Sequence, residues 1–230
     1  GKVTLHFDVD ADVYDREALM GYTVLITDPD GKETLCKGSP EEIVIERPQL
    51  WWPNGYGEQP LYRVEIDLRD SAGSDHYACN LGLRDIAYEQ CDGAREDSLP
   101  YLIKINGERI YAKGVNLSPL DVFYGCVRDE EYAFFLKNIV QAANINIVRV
   151  NGVGLIEKEI FYNLCDQLGI LVWQEFIQSS SGIDNVPSKI PEFLELLEKT
   201  VYSAVYGRRN HPSLAIWGGG NELMSAPNCP

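Results

Sequence analysis

The chain has no apolar run approaching the ~20 residues that a membrane-crossing helix requires. Cations are scarce too: 20 lysines and arginines stand against 35 aspartates and glutamates, a formal charge of −15. A protein that grips a nucleic-acid backbone needs the opposite balance, so neither nucleic acid nor a membrane is expected as a partner. Neutral substrates such as sugars are not disfavoured. The six cysteines, Cys36, Cys79, Cys91, Cys126, Cys165 and Cys229, include no CxxC pair and no Cys/His spacing of a zinc site. No metal and no cofactor is expected. The even count permits disulfides without implying them, and Cys165 falls on an apolar helical face as a small core residue. The opening Gly1-Lys2-Val3-Thr4 carries none of the zones of a signal peptide. Secreted, periplasmic and cytoplasmic locations all stay open.

Two catalytic fingerprints are also missing. No G-x-G-x-x-G follows a strand, which argues against a dinucleotide fold. Ser179, Ser180 and Ser181 have no G-x-S-x-G context, so no serine nucleophile is assigned. No internal repeat or low-complexity tract stands out.

What is present has two grammars. Up to about Ile86 the pattern is β: Val3, Leu5, Phe7 and Val9 alternate, as do Tyr22, Val24 and Ile26, and Tyr62, Val64, Ile66 and Leu68. Turn signals at Asp28-Pro29-Asp30-Gly31 and Ser71-Ala72-Gly73 punctuate them, which predicts an antiparallel β-sandwich of immunoglobulin-like type over 1–90. Inside it, Trp51-Trp52-Pro53-Asn54-Gly55 reads as a tight loop with an aromatic anchor. Its structural reading outweighs the alternative of a sugar-stacking platform. The polar stretch 91–100 is taken as the linker. Residues 101–105 and 108–111 around Asn106-Gly107 then predict a hairpin with a type I′ turn.

From Tyr111 the period changes. A short strand reaches Asn116, and a helix over 129–143 follows, with Asp129 as N-cap and Leu136, Ile139, Val140 and Ala143 on its inner face. Ile147-Val148-Arg149-Val150 is the next strand. A helix with Ile160, Phe161, Leu164, Cys165 and Leu168 on one face ends at Gly169, and Ile170-Leu171-Val172-Trp173 is the third strand. Pro191 opens a third helix through Phe193, Leu194, Leu197, Val201 and Val205, with Arg208 and Arg209 suited to its C-terminal dipole. The last strand is Leu214-Ala215-Ile216-Trp217, closed by Gly218-Gly219-Gly220 and then Asn221-Glu222. Strand and helix alternate as in a parallel βα fold, which a doubly wound sheet and a (β/α)₈ barrel both satisfy. A barrel takes about 250 residues, and 130 follow Pro100. A barrel reading therefore gives about its first four strands.

Each parallel strand ends in polar or glycine-rich sequence: Asn116; Arg149 with Asn151-Gly152; Gln174-Glu175; Asn221-Glu222. Four such endings in succession point to one site at the C-terminal edge of the sheet, where parallel α/β folds keep their chemistry. Glu222 is the candidate general acid/base and Asn221 a ligand for a substrate hydroxyl. Arg149 holds either substrate or a carboxylate, with Glu175 as its internal partner.

These stretches also carry a family resemblance. Arg209-Asn210-His211-Pro212-Ser213, Ile216-Trp217 and Asn221-Glu222 resemble the acid/base signature of glycoside hydrolase family 2, which includes β-galactosidases, β-glucuronidases and β-mannosidases. Residues 50–62 (LWWPNGYGEQPLY) resemble the immunoglobulin-like domain of the β-mannosidase branch. Lys113-Gly114-Val115-Asn116 with Pro119 and Asp121 resembles the first barrel strand and its loop, and 161–176 resembles the second helix and third strand. The resemblance implies a retaining exo-glycosidase that removes a terminal β-linked sugar through a covalent glycosyl-enzyme. A β-mannoside is the first choice, and a β-galactoside or another sugar of that family is the alternative. It implies Glu222 as acid/base, Asn221 on the sugar 2-hydroxyl, Arg149 as organiser, and Asn116, Asp121, Glu175 and Trp217 in the substrate site.

Departures from the family pattern bear on the choice of sugar. Leu117 follows Asn116 where an Asn-Trp pair is typical, 149–154 reads RVNGVG rather than RVWGGG, and Gln-Asp-Phe is Gln174-Glu175-Phe176. The nucleophilic Glu that the resemblance implies belongs to a later strand, so the chain reads as an internal fragment and is expected to be inactive alone. Open strand edges make self-association an expectation. A reading of another class is a non-catalytic carbohydrate-binding or interaction module built on the Trp51/Trp52 loop.

Overall fold

Alternation decides the first part of the chain. In β2 (Tyr22–Thr27) and β5 (Tyr62–Arg69), pleating sends Val24 and Ile26 and, across the antiparallel ladder, Tyr62 and Val64 to one side, where all four are buried. The computed structural model describes residues 1–11, 21–71, 73–180 and 185–224. Ala72, Ser181 and Cys229, named above, lie outside them. With β3 (Glu33–Cys36) and β6 (Ser74–Leu81) these strands form a four-stranded antiparallel sheet in the order β3-β2-β5-β6. A second sheet pairs β1 (Lys2–His6) with β4 (Glu42–Glu46), and Val3, Leu5 and Ile43 pack on the same core. Two antiparallel sheets over one core are the expected sandwich. At its β2–β3 turn, Asp28 Oδ1 accepts the amides of Asp30 and Lys32 while Gly31 takes φ +83°.

The chain divides into two compact units, Gly1–Trp51 with Pro60–Leu83, and Trp52–Gln59 with Arg84–Pro230. The expected linker, 91–100, connects β7 (Ile86–Glu89) to β8 (Leu102–Ile105), and these two strands pair with each other. With β9 (Glu108–Ile110) they make a small antiparallel sheet. The turn between β8 and β9 has Asn106 and Gly107 both at positive φ, +52° and +82°, as a type I′ hairpin requires.

Four strands then run parallel: β10 (Gly114–Leu117), β11 (Ile147–Val150), β12 (Leu171–Glu175) and β13 (Leu214–Gly218). Their order in the sheet is β10-β11-β12-β13, each strand beside its successor. A doubly wound sheet reverses direction at a switch point, whereas this one does not, so the pattern is the first half of a (β/α)₈ barrel. α1 (Asp129–Phe134), α2 (Glu159–Leu168) and α3 (Pro191–Arg208) supply the crossovers. Leu136, Val140, Val148, Val150, Phe161 and Cys165 form the centre of the core. Burial pushes the Cys165 thiol well above its ordinary pKa, as befits an inert packing group.

Three local expectations are corrected. The N-cap of the first helix is Arg128, not Asp129; the Arg128 amide donates to Glu131 Oε2 at 2.8 Å, and Asp129 is already helical. Beyond Phe134 the chain widens into a π-helix, Phe135–Gln141. Its wider turn keeps Leu136 and Val140, four apart, inside and rotates Ile139 out to 50% exposure. On α3 the inner stripe runs through Phe193, Leu197, Val201 and Ala204, and Leu194 is exposed.

Candidate active site

The register of the parallel sheet fixes which side chains share a face. Asn116 lies level with Arg149, and Arg149 with Trp173. The neighbouring row is Leu117, Val150, Gln174 and Trp217. Leu117 and Val150 are buried in the core against the helices, so the row containing Arg149 faces the other way, towards the barrel side.

Arg149 is the hub. Its Nε and Nη2 both donate to Glu175 Oε1, at 2.9 and 2.7 Å; Nη1 donates to Asn116 Oδ1 at 3.1 Å and Nη2 to Asn221 Oδ1 at 3.0 Å. The guanidinium also lies 5.3 Å above the Trp173 ring, a cation–π contact. Glu175 is 3% exposed, and its second oxygen accepts the Gly152 amide at 2.9 Å. Both carboxylate oxygens are thereby engaged. The polar ends of all four strands meet in one hydrogen-bonded cluster, with Asn116, Arg149, Glu175 and Asn221 all in it.

Close approach explains two glycines. A Cβ on Gly152 would sit 2.3 Å from the Gln178 carbonyl oxygen and 3.0 Å from the Asn221 nitrogen. A Cβ on Gly218 would sit 2.7 Å from Glu175 Cγ. Glu222 follows the glycines at φ +53°, a conformation unusual for a residue with a side chain. Its Oε2 accepts the Ser180 hydroxyl at 2.8 Å, and the Asn221 amide donates to Ser179 Oγ at 2.9 Å.

Two predicted residues lie elsewhere. Asp121 is in the loop after β10, where its Oδ1 accepts the Phe123 amide at 2.8 Å; it borders a hollow of about 430 Å³ with Leu120, Val127, Phe134 and Phe135. Trp217 stacks on Phe176, centroids 5.1 Å apart and planes within 5°, and packs against the core on the helix-facing row. Trp51 is fully buried, so its ring has no face to offer a sugar, while Trp52 beside it is half-buried. Sequence reasoning gave Trp173 and the two serines no place in the site, and named Gly152 only as part of a strand ending. Parity with Arg149 across the ladder was the available signal for Trp173.

Behind the cluster lies a buried polar layer. Tyr162 donates to Gln174 Oε1 and Tyr132 to Glu157 Oε2, each at 2.6 Å. Asp166, 1% exposed, accepts His211 Nδ1 at 2.6 Å and the Ser213 amide at 3.0 Å. Burial lifts the Glu157 carboxyl above the usual carboxylate range, with the Tyr132 hydrogen bond opposing that shift. Among the described residues no group of three His, Cys, Asp or Glu side chains is arranged to hold a metal ion.

Comparison with known proteins fits this geometry. Residues 2–84 match the domain family "Glycosyl hydrolases family 2", and residues 100–229 match "Glycosyl hydrolases family 2, TIM barrel domain". Beta-mannosidase B of Emericella nidulans is 33% identical over 179 residues, covering 77% of this chain and 20% of the relative. Beta-mannosidase of Rattus norvegicus is 36% identical over 183 residues, covering 79% and 20%. The chain thus spans about a fifth of the length of the curated relatives it matches. Among solved structures, the beta-D-mannosidase of Dictyoglomus thermophilum superposes with a TM-score of 0.69 at 30% identity, covering 87% of this chain and 25% of that one. A beta-glucuronidase of Parabacteroides merdae, at 19% identity and a TM-score of 0.69, shares the fold. On the extent of the barrel match alone, the chain belongs to glycosyl hydrolases family 2.

Proposed function

We propose that this chain carries the acid/base half of a retaining exo-β-glycosidase active site, acting on a terminal β-linked sugar, with a β-mannoside as first choice. The observation that carries the reading is the Arg149 hub, which ties the ends of four successive strands into one site. The names of the relatives support the choice of sugar. Glu222 protonates the departing glycosidic oxygen in the first step and deprotonates water in the second. Arg149 holds Asn221 Oδ1, which turns the amide N–H₂ of Asn221 outward to donate to the sugar 2-hydroxyl. Glu175 does not serve as the nucleophile, because both of its oxygens are occupied by Arg149 and Gly152. The family resemblance implies a nucleophilic Glu on a later barrel strand, so the 230-residue chain alone is expected to be inactive.

The test is a panel of aryl β-glycosides with the full-length protein and its Glu222→Ala variant. The variant should accumulate glycosyl-enzyme on substrates with good leaving groups, and azide should restore turnover by yielding a β-glycosyl azide. Unchanged hydrolysis of poor leaving groups by Glu222→Ala would remove Glu222 from the role. The fastest substrate names the sugar and separates the mannoside from the galactoside reading. The outer edges of β10 and β13 also make self-association of the isolated chain part of this proposal. A monodisperse monomer by light scattering across a wide concentration range contradicts it.

A further inference from the structure

We infer that Ser179 and Ser180 are positioning residues for Asn221 and Glu222, each hydroxyl holding one functional side chain. The inference rests on the role proposed above for those two residues.

The loop after β12 runs beside the loop after β13 as a short continuation of their pairing. Asn221 N donates to the Gln178 carbonyl at 2.9 Å, Ser180 N donates to the Asn221 carbonyl at 3.0 Å, and Ser179 and Asn221 form a parallel bridge. The Gln178 side chain adds a bond to the Gly219 carbonyl at 2.6 Å. Residues that advance together along a parallel pair present their side chains together, so Ser179 meets Asn221 and Ser180 meets Glu222. The side-chain bonds follow that pairing: Asn221 Nδ2 to Ser179 Oγ at 2.9 Å, and Ser180 Oγ to Glu222 Oε2 at 2.8 Å.

Each bond has a chemical consequence. Asn221 Oδ1 is committed to Arg149, so its amide nitrogen has two protons to place. Ser179 takes one and leaves the other for a sugar hydroxyl. The Ser180 hydroxyl gives its single proton to Glu222 Oε2, leaving Oε1 for the glycosidic oxygen. Arg149 of β11 and Glu175 of β12 are the charged groups on the neighbouring strands. They form an ion pair with each other, and among the described residues Arg149 reaches this loop through Asn221. The neutral Ser180 hydroxyl is in direct contact with the carboxyl.

The experiment uses the full-length protein and aryl β-glycosides of the sugar it hydrolyses fastest, with good and with poor leaving groups. A poor leaving group needs protonation by Glu222, and a good one needs it little. Ser180→Ala should lower kcat/KM about ten-fold on the poor leaving group and much less on the good one, because the carboxyl loses the donor that aims it. Ser180→Thr, which keeps the hydroxyl, should restore the lost rate. An equal effect on both leaving groups, or none on either, overturns the Ser180 assignment. Ser179→Ala should lower kcat/KM about ten-fold on the 2-hydroxy substrate and leave its 2-deoxy analogue unaffected. An equal loss on both overturns the Ser179 assignment. Azide rescue of Glu222→Ala beside a Ser180→Ala effect that is absent, or equal on both leaving groups, refutes this inference alone. Absence of any Glu222→Ala effect refutes the reading beneath it.

Discussion

Arg149 shows how much one side chain carries. Its partner Glu175 is almost fully buried, and four of the cluster's bonds start from this guanidinium. Arg149→Ala would strand a buried carboxylate, and a loss of about 3–5 kcal/mol in urea unfolding is expected. Arg149→Lys should recover only part of it, since an ammonium cannot reproduce the planar fork. Glu157 gives a pH signature. Its carboxyl is lifted above the ordinary value in the fold, so the unfolded chain loses its proton first as pH rises. Stability is complete below the ordinary carboxylate range and falls as pH climbs through the raised native value. Glu157→Gln has no proton to lose. Its stability relative to the parent should grow across that window and then level off, as read from urea midpoints at stepped pH. Asn116, Arg149 and Glu175 were legible in the sequence because each strand announced a polar end. The side that Trp217 faces was not. A register shift at Val172/Trp173 pairs Trp173 with Ile216 and skips Ala215, and such an irregularity leaves no trace in a hydrophobic pattern.

At the scale of elements, helix and strand existence followed the periodicity, while the boundaries answered to local hydrogen bonds. The π-helix at Phe135–Gln141 was invisible because Leu136 and Val140 satisfy an α-helical and a π-helical pattern alike. The serine pair was equally invisible: it depends on two loops running side by side, not on any spacing within either. Gly169 was legible as a helix stop, and the structure adds a second reason for it. It caps α2 at φ +71°, and a Cβ there would sit 2.5 Å from the Asn54 amide nitrogen, which donates to the Gly169 carbonyl at 2.7 Å. Gly169→Ala should cost about 2–4 kcal/mol in thermal or urea unfolding, from left-handed strain together with overpacking. Gly219→Ala is the control from the glycine run, since nothing lies within 4 Å of its Cβ position. It should be tolerated where Gly218→Ala is not.

For the whole molecule, two grammars in one chain foretold a sandwich followed by part of a barrel, and sequential strand order settled which parallel fold it is. What one-dimensional reading missed was that Trp52–Gln59 sits within the sandwich sequence and belongs to the second compact unit. That grouping carries a consequence for biosynthesis. The Asn54 side chain donates to the Ile145 carbonyl, 91 residues further along, at 3.0 Å. At a synthesis rate of about 5–20 residues per second, roughly 5–20 s separate the emergence of the loop from that of its acceptor. Throughout that interval the nascent chain holds a turn whose partners beyond the loop, the Ile145 and Gly169 carbonyls, do not yet exist. A ribosome paused before Ile145 would present it exposed to chaperones and proteases.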